Sequence, residues 1–296
     1  MLYNKKMLDG YTMMHEHMTI DLSGIKNDPD TRLDCLEDTI EEMRALYQLG
    51  VRNILDVTNI GMGRNPEYIK KIEEETGIRI LQSTGFYKDP FLPDIVESST
   101  IEELANLMIK EIEIRIEDTG IKAVCIGEIG TSQNEMTIKE EKVFEAAVLA
   151  AKKTNALIST HTTLGTYAWQ QVQFFLKRGI QPDRVVIGHV ALAKDLNLIK
   201  KIIGEGFNIA FDTIGKNNYF PDDERIKFLM ELEKENQLNH IVLSVDITRK
   251  SHFKKNGGIG YSYLLEEFVP KLRSAGMKEE SINQMLIENP KRLLNR

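Results

Sequence analysis

Amphipathic, largely polar stretches of this chain repeatedly end in a glycine, and a short, almost uninterrupted apolar run follows at once. The junction recurs at Gly50 (LGVRNILDVTN), Gly77 (TGIRILQST), Gly120 (TGIKAVCIGE), Gly179 (RGIQPDRVVIGH) and Gly206 (EGFNIAFDT). Glycine just past a helix fits the left-handed position after the last turn, where a Cβ would be penalised. Apolar runs without alternation are expected of parallel strands covered on both faces. Thr100 with Glu103 and Thr137 with Glu140 read as capping boxes at helix starts. Ile226, Leu229 and Leu232 recur at helical spacing between Asp222 and Glu235. The strands then fall at 10–18, 52–57, 78–84, 123–129, 156–161, 184–189, 207–212 and 240–246, with helical patterns between them. A last helical segment covers about 260–289, interrupted near Gly276. Eight strands alternating with eight helical regions predict an α/β chain folded as a (β/α)8 TIM barrel, which takes ~250 residues. The rival, an open doubly wound sheet, would carry a Gly-x-Gly-x-x-Gly fingerprint after its first strand, and none is present. With no linker or change of composition, residues 1–296 read as a single domain.

The chain is 42% hydrophobic, 7% aromatic and 28% charged, the make-up of an ordinary globular protein. Its 38 Lys and Arg against 45 Asp and Glu give a net charge of −7. No long run of either sign occurs, so nucleic acid and anionic membrane are poor partners. No stretch approaches the roughly 20 apolar residues of a spanning helix. The opening MLYNKKMLDGYTMM lacks the apolar core of a signal peptide. Cys35 and Cys125 are too few for a disulfide framework or a cysteine-built zinc site. A cytoplasmic protein is expected.

Unusual residues gather at the C-terminal ends of the predicted strands. The first closes on His15-Glu16-His17, the fourth on Glu128, the fifth on His161, the sixth on His189 and the eighth on Asp246. In a (β/α)8 barrel these ends form one rim, where active sites lie. Residues i and i+2 of a strand share a face, so His15 and His17 aim inward and Glu16 turns away. Four of the six histidines occupy this rim, which scattered core histidines would not be expected to do. Imidazole nitrogens and carboxylate oxygens suit divalent zinc, manganese, cobalt, nickel or iron. Six ligands exceed one tetrahedral site and suit two ions sharing a carboxylate. Any one histidine alone would read as a core residue; the six together point to a metal centre. Asp56 and Asp212, also at strand ends, read as structural. Cys125, three residues before Glu128 and so facing the opposite way, reads as buried packing, as does Trp169 in a helical stretch.

At HEH, IGEIGTS, STHT, IGH and LSVDITR the sequence resembles the phosphotriesterase family of the amidohydrolase superfamily, from GYTMMHEH to the closing ENPKRLL. The stretches FDTIGKNNYFPDDERI and DITRKSHFKKNGGIGYSYLL direct the resemblance toward one bacterial branch. It implies a barrel with a binuclear metal centre and suggests a homodimer. His15, His17 and Asp246 would hold the more buried ion, His161 and His189 the more exposed one, and Glu128 would bridge them with a water or hydroxide. The chain departs from the best-known members at two positions. Glu128 stands where they carry a carboxylated lysine, and Thr213 stands where many have His or Arg.

The expected chemistry is hydrolysis of a small ester, a phosphoester or a lactone, by a metal-bridging hydroxide, with Asp246 taking the proton. Two divalent ions per chain are expected, zinc by default. Tyr87 after the third strand, Lys216 and Asn217 after the seventh, and Arg249 after the eighth are candidates for lining the mouth, where cations would hold an anionic small-molecule substrate. Two other classes remain open. A Schiff-base barrel enzyme needs a lysine aimed into the cavity, and no predicted strand ends in one. A binding protein that keeps the metals without turnover would have the same sequence signature.

Overall fold

The computed structural model describes residues 6–295. Eight parallel strands run in chain order around a barrel: β1 (Tyr11–Glu16), β2 (Val51–Asp56), β3 (Arg79–Thr84), β4 (Cys125–Thr131), β5 (Leu157–Thr162), β6 (Val185–Ile187), β7 (Asn208–Phe211) and β8 (Ile241–Leu243). Eight helical segments cover the outside. They are α1 (Leu36–Gln48), α2 (Pro66–Thr76), α3 (Ile101–Glu113), α4 (Ile138–Thr154), α5 (Ala168–Lys177), α6 (Leu196–Gly204), α7 (Asp222–Lys234), and a π-turn at Leu264–Phe268 running into α8 (Val269–Ser274). The (β/α)8 barrel read from the sequence is the observed fold. No helix among the described residues is long and apolar enough to cross a membrane.

One apolar residue per strand builds the barrel interior: Met14, Leu55, Leu81, Cys125, Leu157, Val186, Ala210 and Val242. Leu293, from the C-terminal helix Asn289–Leu294, joins them. A second, larger core lies between strands and helices. Strands buried on both faces are what the unbroken apolar runs encode. Where β8 meets β1, side chains span the seam. The His15 N–H donates to Ser244 Oγ at 2.9 Å, and the Glu16 carboxylate accepts from the N–H groups of Val245, Asp246 and Ile247 at 2.7 to 3.2 Å.

Both capping boxes are present. Gly50, Gly77, Gly179 and Gly206 take positive φ after their helices. Gly120 does not follow the pattern. Helix α3 stops at Glu113, and the turns after it are closed by Ile116 N–H to Ile121 O. Cys125 corrects a second expectation. It lies inside the barrel with Glu128 rather than facing away from it, because a register shift between Ile126 and Ile129 resets the alternation of β4.

Candidate metal centre

Irregular backbone positions the ligands. Bulges interrupt β1 between Met13 and Glu16 and β4 between Ile126 and Ile129. An extra residue in a strand re-aims the next side chain, so Met14 and His15 both reach the interior, as do Cys125 and Glu128. Beyond β6 and β8 the chain leaves the ladder, and His189 (φ 60°) and Asp246 (φ 59°) adopt left-handed backbone. Each is held by a carboxylate from a neighbouring strand end. Asp212 accepts from the His189 N–H, and Glu16 accepts from the Asp246 N–H. Two glycines leave room for this. A Cβ on Gly127 would meet Ser159 O at 2.2 Å, and one on Gly188 would meet Thr160 O at 2.2 Å, both on β5.

The Glu128 carboxylate is the hub. It lies 3.3 Å from His15 Nε2, 3.4 Å from His17 Nε2, 3.2 Å from His161 Nδ1 and 3.7 Å from His189 Nε2. Two ligand groups meet there, His15/His17/Glu128 and Glu128/His161/His189, each with its ligand atoms within 4.8 Å of one another. Asp246 Oδ1 stands 3.4 Å from His17 Nε2. Neighbours orient the rings. Thr58 Oγ1 lies 2.8 Å from His17 Nδ1 and Asp212 lies 2.8 Å from His189 Nδ1, which directs both Nε2 atoms toward the centre. Asp212 also completes a third ligand-type group with His15 and His189, but its carboxylate is committed to the ring and backbone N–H of His189. Asp56 is likewise committed, to the N–H groups of Met18 and Thr58.

The fit to divalent ions can be judged from the protein atoms. Both ring nitrogens of His15 and Nε2 of His17 are buried without a hydrogen-bond partner. An unsatisfied buried polar atom costs about 1–3 kcal/mol, and such a cost needs an explanation. Nitrogen and oxygen donors around a shared carboxylate are the donor set that zinc and its neighbours take. The residues fit. With protein groups alone, burial would raise the Glu128 carboxyl, yet His15, His161 and His17 hold it well below the ordinary value. Burial likewise opposes ionisation of Asp246, but Lys216, His17 and His189 outweigh it and keep that carboxyl well below its usual range. Burial works against a charged His17, but Asp246 and Glu128 push it up to about 10. His161, with burial and His189 against its charge, falls to about 4.

The centre opens into a cavity of about 310 Å³. Of the residues expected at the mouth, three line it. Tyr87 OH is 3.3 Å from His161 Nδ1, the Lys216 ammonium is 2.5 Å from Asp246 Oδ2, and Arg249 is 2.6 Å from Asp28. Lys216 therefore does aim into the cavity, although no strand ends on it. Asn217 does not line the cavity. Its side chain accepts from the Asp222 N–H at 2.7 Å, at the start of α7. Thr213, also on the wall, receives a hydrogen bond from buried Arg225 at 3.1 Å. Trp169 sits in α5 with the Lys201 ammonium 3.5 Å above its ring, outside the cavity. Sequence reading missed Lys26, Lys88, Phe91 and His252 on the wall, since nothing in their local pattern marks them.

Similar proteins share this architecture. The chain is 46% identical over 281 residues to the phosphotriesterase homology protein of Escherichia coli, covering 95% of this chain and 96% of that one. The crystal structure of that protein, complexed with phosphate in its active site, superposes with a TM-score of 0.95, covering 97% and 99% of the two chains. The N-acetyltaurine hydrolase of Dictyostelium discoideum is 32% identical, over 91% of this chain and 76% of its own. A lactonase from Listeria monocytogenes is 28% identical with a TM-score of 0.91, over 97% and 94%. The phosphotriesterase family pattern matches residues 5–294, and the chain belongs to the phosphotriesterase family.

Proposed function

We propose that this protein is a binuclear metal-dependent hydrolase acting on a small anionic ester, phosphorus- or carbon-centred. The observation that carries this reading is the single Glu128 carboxylate set among four histidines, some of whose buried nitrogens have no hydrogen-bond partner. In this reading His15, His17 and Asp246 would hold one ion, His161 and His189 the other, and Glu128 would serve both. Zinc is the first choice, with manganese, cobalt, nickel and iron(II) compatible with the same donors. Ions held there would acidify a water and polarise the substrate's carbonyl or phosphoryl oxygen.

The chain's own groups supply the rest. Asp246, kept ionised by Lys216, accepts the proton released on attack at its carboxylate oxygen. Tyr87 closes the wall beside His161 and narrows the access of water. A net positive lining suits an anionic substrate. The named activity of the D. discoideum relative, on the amide N-acetyltaurine, supports a second reading in which the scissile bond is an amide.

Elemental analysis of protein purified without chelator should find about two divalent ions per chain. A panel of phosphoesters, lactones and N-acyl amides should then yield turnover. Asp246→Asn should lower kcat by roughly two to four orders of magnitude, with occupancy measured on the same sample. No bound transition metal after incubation with zinc or manganese would end the binuclear reading. So would full activity of a fully metallated Asp246→Asn protein for the role of Asp246.

A further inference from the structure

The positive charge in the cavity is not evenly committed. Lys216 is paired with Asp246 at 2.5 Å and Arg249 with Asp28 at 2.6 Å. Lys26 and Lys88 line the same cavity, and neither has a carboxylate within 4 Å among the described residues. The Lys88 ammonium donates instead to the backbone oxygen of Asp89 at 2.8 Å. This is unexpected in a chain with surplus carboxylates and a net charge of −7. Elsewhere Lys139, Lys200 and Lys227 each hold a carboxylate at 2.6 to 2.7 Å.

The two ammonium groups also converge. Lys26 ends the short helix Ser23–Lys26 between β1 and α1, and Lys88 follows β3, yet both stand over one ring. Their nitrogens are 5.6 Å and 5.8 Å from the Phe91 centroid. Lys88 is also 5.8 Å from the Tyr87 ring, which meets His161 edge-on at 5.0 Å. Lys88 therefore sits about one aromatic ring outward from His161, and Lys26 shares the Phe91 ring with it. Burial lowers the Lys26 ammonium, and repulsion from Arg249, Lys88 and Lys216 adds to it, offset only in part by the attraction of Asp246.

We propose that Lys26 and Lys88 form a recognition site for a second anionic group of the substrate, a carboxylate, phosphate or sulfonate seated over Phe91. An anion there relieves the repulsion and gains charge-assisted hydrogen bonds in a partly desolvated setting. The faces of Phe91 and Tyr87 give the intervening carbon chain an apolar floor. The substrate class is then a small molecule with a scissile ester or amide at one end and an anion a few bonds away at the other. This use of the site rests on the hydrolase reading, but the anion site can be measured without turnover.

The experiment is calorimetric titration of the metal-loaded protein with succinate, glutarate and adipate, each against the monocarboxylate of equal carbon number. At least one diacid should bind about tenfold more tightly than its monoacid, the order expected for one added charge-assisted contact. In Lys26→Ala/Lys88→Ala that preference should fall to about twofold or less, with metal content and Tm unchanged. Lys26→Arg/Lys88→Arg should retain most of it. Lys26 is exposed and Lys88 partly buried, and the single variants Lys26→Gln and Lys88→Gln provide the same reading should the double variant not fold. No diacid preference in the wild type, or one that survives in the alanine variant, overturns the proposal. A silent hydrolase panel beside a preference lost in the variant would overturn the enzyme reading and leave the anion site standing.

Discussion

Glu128 and Glu16 show how much one carboxylate can organise. Glu128 meets four imidazoles, and glutamine in its place keeps the shape but loses the charge that two cations would share. Glu128→Gln should lower occupancy of both ions, whereas His161→Ala should chiefly empty the more exposed site; elemental analysis after dialysis separates the two patterns. Two tightly held ions in Glu128→Gln would make the residue merely structural. Glu16 turns away from the centre yet grips the backbone of residues 245–247 and so fixes the left-handed Asp246. An outer partner of a ligand typically contributes 10–100-fold in metal affinity. Glu16→Gln should therefore weaken one ion by about that factor, read by competition with a chromogenic chelator. An unchanged affinity would leave the carboxylate with a role in closing the barrel seam alone.

The two capping boxes have the same sequence pattern and different neighbourhoods. Glu103 is exposed and serves the start of α3 alone. Glu140, at the start of α4, is fully buried and also accepts from the N–H of Asp89 and from both the N–H and hydroxyl of Ser132. It thereby ties the loops after β3 and β4, which carry Tyr87 and Lys88 and follow Glu128. Loss of a cap costs about 0.5–2 kcal/mol, and leaving further buried donors poorly satisfied adds roughly 1–3 kcal/mol. Glu140→Gln should thus lower Tm distinctly more than Glu103→Gln in parallel thermal melts. Equal shifts would show that the extra bonds contribute nothing net.

Across the whole molecule, the segment after β8 is strapped to the segment after β1 by charge. Arg249 and Ser251 meet Asp30, and Lys250 meets Asp34. Burial nudges these carboxyls upward, but Ser251 holds Asp30, and Lys250 holds Asp34, below the ordinary value. A carboxyl whose folded pKa is depressed adds stability above its unfolded pKa of about 4 and loses it as pH falls through the folded value. The strap should loosen below about pH 4. Amide exchange in residues 249–255, corrected for intrinsic rates and referred to the barrel strands, should quicken at pH 3 relative to pH 6. In Asp30→Asn/Asp34→Asn the faster exchange should already be present at pH 6. A variant indistinguishable from wild type at pH 6 would assign the strap to other contacts. The pairs are partly exposed, so high salt should weaken them as well.

Much of this was written in one dimension. Strands buried on both faces must be apolar throughout, so each announces itself as an unbroken run, and His15, His17, Glu128, His161, His189 and Asp246 follow at the ends of such runs. Helix starts were legible in Thr100 and Thr137 because caps depend on residues only three positions apart. Facing is legible only while a ladder stays regular, and the shift between Ile126 and Ile129 put Cys125 and Glu128 on one side where alternation separates them. The left-handed turns at His189 and Asp246 depend on Asp212 and Glu16, which other strands deliver. Asn217 and Lys216, adjacent in sequence, part ways because one meets the start of α7 and the other meets Asp246. Lys26 and Lys88 lie far apart along the chain and share Phe91 only once the barrel has closed. Local pattern is set by hydrophobic burial and short-range hydrogen bonding, which the sequence carries directly, whereas the charges that meet across the mouth are fixed by the closure of the barrel.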